Sequence, residues 1–223
     1  MSQTRSASTA LNKHKGLQQF FKWLMLDEQE IDRSPMQRVK QPKTRKKLIP
    51  IIRDVDTAKV LGTCTGKDFI ALRDAAIIRL YYNTGARLAE VANLHLNDVD
   101  LTTDSVRYHG KGNRDRRVRF GPKAARSLSR YLRARGKHKA SELPHLWLAD
   151  RGVRRLASNG VKIMLKRRGL AVGLHGVHAH RWRHNFAHEW KRAGGDTGDL
   201  MLLLGWTSEA QPRHHGASAA ADP

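Results

Sequence analysis

Apolar positions first recur at helical spacing: Leu17, Phe20, Phe21 and Leu24 predict one amphipathic helix from about Thr9 to Leu26, behind a polar tail of residues 1–8. Phe69, Leu72, Ala76, Ile77 and Leu80 repeat the pattern. Asp68 at one end and Asn83-Thr84-Gly85 at the other bound that helix. Shorter helices are predicted behind a capping Asp54 and over Ala86–Leu94. The period then drops to two, with Val99 and Leu101, a strand over Ser105–His109, a Gly110-Lys111-Gly112-Asn113 turn and a return strand over Arg117–Phe120. Helix resumes after Gly121-Pro122, turning Ala125, Leu128 and Leu132 inward, and stops at Gly136. Leu146-Trp147-Leu148 reads as a short buried strand. Helices near Ser158–Leu170, Ala179–Arg192 and Asp199–Leu204 follow, and the alanine-rich end, Ala217–Asp222, reads as frayed. The fold class expected is mainly α with a small antiparallel β-sheet, an α+β arrangement.

Charge changes this picture more than composition does. With 39% hydrophobic and 28% charged residues, the 223-residue chain has an ordinary globular makeup. Its 42 Lys+Arg against 20 Asp+Glu leave +22, however, and such an excess on a folded chain points to a polyanion, nucleic acid first. Arg38, Lys40, Lys43, Arg45, Lys46 and Lys47 lie in one proline-punctuated stretch without an acid, a basic linker that is either a solvated hinge or a track along a phosphate backbone. Six basic residues against two acids span Asp104–Arg119, and seven against one span Asp150–Arg168. A single cysteine, Cys64, excludes a disulfide framework and a multi-cysteine zinc site. No apolar run approaches a membrane span and Met1–Lys15 lacks the apolar stretch of a secretory signal, so a soluble cytoplasmic protein is expected.

Four short motifs carry candidate chemistry. In Thr84-Gly85-Ala86-Arg87-Leu88-Ala89-Glu90 an arginine follows a glycine turn with a glutamate three residues on, so Glu90 either forms an ordinary surface ion pair with Arg87 or holds it while its fork faces a phosphate. Lys111 stands at a hairpin tip, within reach of a groove or merely solvated. His178-Ala179-His180-Arg181-Trp182-Arg183-His184 opens a helix on which His180 and Arg183 share a face. Leu204-Gly205-Trp206 follows the next helix. His180, His184 and His188 stand four apart like a metal stripe, but no glutamate follows the first histidine of a metalloprotease-type pair and no third ligand is near, so no metal site is assigned.

In this order and on these elements the motifs resemble the tyrosine recombinase (phage integrase) family, in phrasing its actinobacterial integrases, over nearly all of Lys47–Ser218. The resemblance implies that family's catalytic-domain fold over residues 51–218, a disordered tail over 219–223, and a basic linker over 36–50. Residues 1–35, ending in Gln18-Gln19-Phe20-Phe21-Lys22-Trp23-Leu24, are similar to the end of the family's N-terminal core-binding domain. It implies strand exchange on double-stranded DNA by a nucleoid-associated homotetramer, with no cofactor, metal, membrane or small-molecule substrate. Carried over by position, Arg87 and Arg183 clamp the scissile phosphate, Lys111 protonates the leaving 5′-oxygen, His180 serves as base or proton shuttle, Trp206 packs on the phosphate and Glu90 orients Arg87. Arg114, Arg116 and Arg117 on the hairpin, with the linker cations, are expected on DNA.

Two departures stand against an active enzyme. The family's nucleophilic tyrosine falls nine residues after the position of Trp206, and here that residue is His215. The four tyrosines, Tyr81, Tyr82, Tyr108 and Tyr131, all lie upstream and read as core or amphipathic residues. A phenolate forms a stable, reversible phosphodiester, whereas an imidazole forms at most a labile phosphoramidate. The front end, moreover, has one convincing helix where a multi-helix domain is expected. The expectation is a DNA-binding remnant lacking its nucleophile, or else a non-catalytic DNA-binding protein or regulator occupying recombination sites. A sequence error or a deliberate inactivating substitution at position 215 leaves the same mark.

Overall fold

The computed structural model describes residues 7–43, 50–110 and 115–207. The chain divides into two compact units, Met1–Lys47 and Leu48–Pro223. In the first, helix α1 (Ala7–Leu26) is followed by a 3-10 turn over Pro35–Arg38, whose start is capped by the Ser34 hydroxyl accepting from the Met36 amide at 3.2 Å. Only His14 of α1 is buried, while Leu17, Phe20, Trp23 and Leu26 are exposed. Arg38, Lys40 and Lys43 are exposed, and Arg45, Lys46 and Lys47 lie outside the described residues.

The second unit is organised on one buried helix. Helices α2 (Asp54–Gly62) and α3 (Phe69–Thr84) come first, and α3 buries Ala76, Ile77, Ile78, Leu80 and Tyr81. Asp68 starts α3 by accepting from the Ala71 amide at 2.9 Å, and Gly85, at φ 57°, ends it in the left-handed region. Helix α5 (Pro122–Arg135) runs antiparallel along α3: its start is tied to the α3 C-terminus by the Gly121 amide donating to Asn83 Oδ1, and Tyr131 meets Phe69 near the other end. Helix α7 (Ala179–Arg192) packs on α3 as well, through Trp182 stacked on Tyr81. Helix α6 (Ser158–Leu170) is joined to α3 by a buried ion cluster, in which Asp74 accepts from Arg73 at 2.9 Å and from Arg168 at 2.8 Å. The sheet comprises β1 (Val99–Asp100), β2 (Ser105–Tyr108) and β3 (Arg116–Arg119), antiparallel in that order, with Tyr108 opposite Arg116. Helices α4 (Leu88–Ala92) and α8 (Thr197–Leu204) complete the unit.

Two elements differ from their sequence pattern. The helix expected over Ala86–Leu94 is cut to Leu88–Ala92, because Arg87 stays extended at ψ 154° with its amide donating to Glu90 Oε2 at 2.7 Å. Leu146-Trp147-Leu148 is buried as expected, but it forms no regular strand; it is flanked by isolated bridges pairing His95 with His145 and Leu148 with Arg155. The Trp147 carbonyl accepts from the Leu156 amide at 2.8 Å, and side chains satisfy others nearby. The buried Arg135 donates to His145 O and Leu146 O, and Tyr131 Oη also donates to Leu146 O. Among the described residues no helix is long and apolar enough to cross a membrane.

Candidate phosphate-binding cleft

The site is built where two helices stop. Helix α8, like α3, ends on a left-handed glycine, Gly205 at φ 61°. A helix C-terminus presents unpaired carbonyls at the negative end of its dipole, a ready partner for cations. Arg183 on α7 uses both ends of its fork there, donating to Gly85 O at 3.1 Å and to Leu204 O at 2.6 Å. Arg87 donates to Gly205 O at 2.7 Å. The two guanidinium groups therefore lock the Thr-Gly-x-Arg segment to the Leu-Gly-Trp segment. The glycines are required by space as well as by φ. A Cβ on Gly85 would lie 2.9 Å from Phe186 Cβ, and one on Gly205 would lie 3.2 Å from Arg116 Nη1 and 3.4 Å from Arg87 Nη1. Trp206 is buried next to them, with the Arg183 guanidinium 5.1 Å above its ring.

One carboxylate organises these cations. Glu90 accepts from Arg87 Nη1 at 2.8 Å and takes both arms of the Arg116 fork, at 2.8 and 2.7 Å. Burial by itself raises the Glu90 carboxyl, but the hydrogen bonds and charge of Arg116, and then the bonds from Arg87, override it and bring it from 4.5 down to about 2. Burial, followed by repulsion from Arg87, lowers the Arg183 guanidinium to about 9 despite the opposing pull of Glu90. Three guanidinium groups around one carboxylate leave a local excess of two positive charges. Two of them, Arg87 and Arg116, line a cleft of about 850 Å³ together with Glu90, His109, Gly205 and Trp206, and Arg183 is buried behind it against the Trp206 ring. Chemically this is a seat for a polyanionic oxygen group.

Arg116 is the residue that sequence reasoning misjudged in orientation. Expected among the DNA-facing hairpin arginines, it turns inward, donating through Nε to Leu203 O at 2.8 Å and lying 5.0 Å over the Tyr108 ring. Alternation along β3 carried the only signal: Arg116 shares a face with the buried Val118, whereas Arg117 points out with a side chain 60% exposed. His109, also overlooked, bridges Asp98 Oδ1 at 2.8 Å and Asp115 Oδ2 at 3.0 Å at the base of the hairpin. The hydrogen bond that the His109 ring donates to Asp98, aided by the charges of Asp98 and Asp115, raises the imidazole above 6.5.

On α7, His180 and Arg183 keep the i,i+3 spacing expected but differ in burial. Arg183 is buried among the carbonyls, whereas His180 is exposed with its Nε2 3.1 Å from Nε2 of the buried His184. His178 caps the helix, its Nδ1 accepting from the Arg181 amide at 3.3 Å. Among the described residues no group of three His, Cys, Asp or Glu side chains is arranged to hold a metal. Every tyrosine hydroxyl is engaged: Tyr81 with Leu88 O, Tyr82 with Asp54, Tyr108 with Thr84, and Tyr131 with Leu146 O. Lys111, Arg114 and His215 lie outside the described residues.

A mainly helical domain with a three-stranded antiparallel sheet and an arginine-lined cleft joining these motifs defines a class by its fold and site. The phage integrase family matches residues 52–218, and the chain belongs to that family. Among individual relatives, the tyrosine recombinase XerC of Ralstonia pickettii (strain 12J) is 31% identical, the match covering 92% of this chain and 67% of the relative. XerC of Actinobacillus pleuropneumoniae serotype 7 (strain AP76) is 34% identical over 87% of this chain and 62% of the relative. The chain thus spans about two thirds of the length of these curated relatives. In fold it is similar to the XerH site-specific recombinase bound to palindromic difH substrate, a post-cleavage complex (TM-score 0.77, 20% identity, 97% of this chain and 65% of that one). It is equally similar to the Tn1549 transposon integrase in complex with transposon right end DNA (TM-score 0.78, 16% identity, 98% and 78%).

Proposed function

We propose that this chain binds double-stranded DNA as a site-specific recombinase of the phage integrase type and seats one backbone phosphate in the arginine cleft without forming a covalent link to it. The observation that carries the reading is the clustering of three guanidinium groups: Arg87 and Arg116 are bound to the single carboxylate of Glu90, and Arg183 is held on the adjoining helix-end carbonyls within range of their charge. A phosphate there relieves the mutual repulsion of the guanidinium groups. Arg87, with a side chain 44% exposed, keeps N–H donors available to its non-bridging oxygens. Trp206 packs beneath, and Lys111 and His180 occupy the positions that in the family's reaction protonate the leaving 5′-oxygen and shuttle protons; here they serve to bind the phosphate. In the family's reaction a tyrosine oxygen forms the new P–O bond as the bond to the 5′-oxygen breaks. Here the corresponding position is His215, whose nitrogen offers no durable ester, so binding proceeds without capture.

The remaining assignments extend the same reading. Residues 1–35 act as the end of a core-binding domain, 36–50 as the basic linker, 51–218 as the catalytic domain and 219–223 as a tail. The linker cations Arg38, Lys40, Lys43, Arg45, Lys46 and Lys47, with Arg114 and Arg117, follow the duplex in a cytoplasmic, nucleoid-bound homotetramer. A nicked suicide duplex tests the chemistry. The native chain is expected to leave no denaturation-resistant adduct, and a covalent adduct mapped to His215 would overturn the claim. A second reading, a non-catalytic occupant of recombination sites, is favoured specifically by the missing tyrosine. Footprinting on attachment-like inverted repeats separates the two: discrete protection supports the occupant, and protection without sequence preference supports the remnant.

A further inference from the structure

Between Asp115 and Glu142 the chain carries ten Lys and Arg residues and no acid. Two of the ten, Arg116 and Arg135, are consumed by internal partners. Four of the other eight, Lys123, Arg126, Arg130 and Arg133, collect on one face of α5. Its buried line is Ala124, Leu128, Tyr131 and Arg135, and at 100° per residue the opposite line is Arg126, Arg130 and Arg133, with Lys123 beside it. All four of these cations are exposed, and none forms an ion pair among the described residues.

Left to itself this face is costly for the helix. Like charges at i,i+3 and i,i+4 (Lys123 with Arg126, Arg126 with Arg130, Arg130 with Arg133) repel each other. The first turn also lacks an acid and carries Lys123 against the positive end of the dipole. Arg126, Arg130, Arg133 and the Ser129 side chain, together with Leu101 and Ala125, line a recess of about 410 Å³ that contains no acid. The neighbouring Asp100 carboxylate is occupied by the Thr102 and Thr103 amides and the Thr103 hydroxyl. None of the recess residues lines the arginine cleft, and α5 runs back along α3 away from the helix end at which that cleft is built.

We propose that the outer face of α5 is a second binding surface for the phosphate backbone of duplex DNA, so that one chain holds two duplex segments, one at the cleft and one on α5. A row of cations about 15 Å long, Lys123 followed by the forks of Arg126, Arg130 and Arg133, suits successive phosphates: each guanidinium grips two oxygens and the Ser129 hydroxyl supplies a neutral donor. Bound phosphates convert the repulsion along the helix into attraction. The inference rests on the nucleic-acid reading of the cleft but not on its chemistry.

The test compares the native chain with the Arg126→Gln/Arg130→Gln/Arg133→Gln variant, in which helix propensity is kept and charge is removed. Duplex affinity is measured across salt concentrations, and retention of a second, differently labelled duplex is measured on an immobilised first one. If three phosphates are released, the log–log salt slope is expected to become shallower by about 2 to 3. Second-duplex retention should drop at least about tenfold, with unchanged sedimentation mass and a melting temperature in DNA-free buffer equal to or above that of the native chain. An Arg87→Ala/Arg183→Ala variant is expected to keep the α5 share of the slope. An unchanged slope and unchanged retention in the α5 variant would overturn this proposal alone, whereas a native chain with no duplex affinity would overturn the cleft reading as well. Loss of binding to phosphatidylserine vesicles with duplex binding intact would assign the face to a membrane and also overturn it.

Discussion

Replacing Glu90 with glutamine removes the one anion among three guanidinium groups while preserving the shape of the side chain. The folded state holds the Glu90 carboxyl at about 2 against an ordinary 4.5. That displacement is equivalent to about 3 kcal/mol of stabilisation at neutral pH. The figure is at the low end of the ~3–5 kcal/mol typical of breaking a buried pair, as expected for two largely but not fully buried side chains, Glu90 at 7% and Arg116 at 11% exposure. The sign follows from the lowered value. The stabilisation is complete above pH 4.5, shrinks as pH falls below it, and is gone near pH 2. Urea unfolding of the native chain and of Glu90→Gln at pH 7, 5, 4 and 3 is therefore expected to show a difference of about 3 kcal/mol at the top of the range, closing steadily below pH 4.5. In a thermal scan at pH 7 the variant should melt roughly 6–12 °C lower. A difference under about 1 kcal/mol at pH 7, or one of the same size at pH 7 and pH 3, would refute the idea that this carboxylate binds the cluster together.

Three further outcomes follow from the geometry. Gly205→Ala forces a left-handed alanine against two guanidinium groups and should cost about 1–2 kcal/mol in chemical denaturation, together with a loss of duplex affinity; a neutral substitution would argue against the interlocked helix ends. The His109 imidazole, raised by Asp98, contributes stability that is full below 6.5 and fades as pH climbs through its higher folded value. Its nuclear magnetic resonance titration should accordingly have a midpoint above 6.5 that falls in an Asp98→Asn variant. Asp74→Ala strands Arg73 and Arg168 in the interior and should destabilise the second unit by ~3–5 kcal/mol, measured by urea unfolding; a loss below about 1 kcal/mol would show that water reaches the cluster.

The parts of this fold legible from the sequence are those whose causes are local. The ends of α3 follow from Asp68 and from a glycine that tolerates positive φ, and α5, α6 and α7 follow from apolar periodicity bounded by breakers. The four motifs of the cleft are short and therefore visible, and so is the want of a tyrosine after Trp206. The side chains that failed to follow their pattern share one feature: each is an arginine whose partners are carbonyls or carboxylates far away in the chain. Arg135 leaves the solvated last turn of α5 to satisfy carbonyls of the 141–146 segment.

By itself, the sequence determined the helices, the hairpin, the basic excess and the identity of the residues at the cleft. Only the tertiary structure decided how those residues face one another. Arg87 meets a carbonyl 118 positions later, Arg183 one 98 positions earlier, and Arg116 a carboxylate 26 positions earlier. A guanidinium group has no preferred direction until a fixed acceptor faces it. The acceptors here are the last carbonyls of α3 and α8 and the Glu90 carboxylate between them, brought together only once the helices have packed.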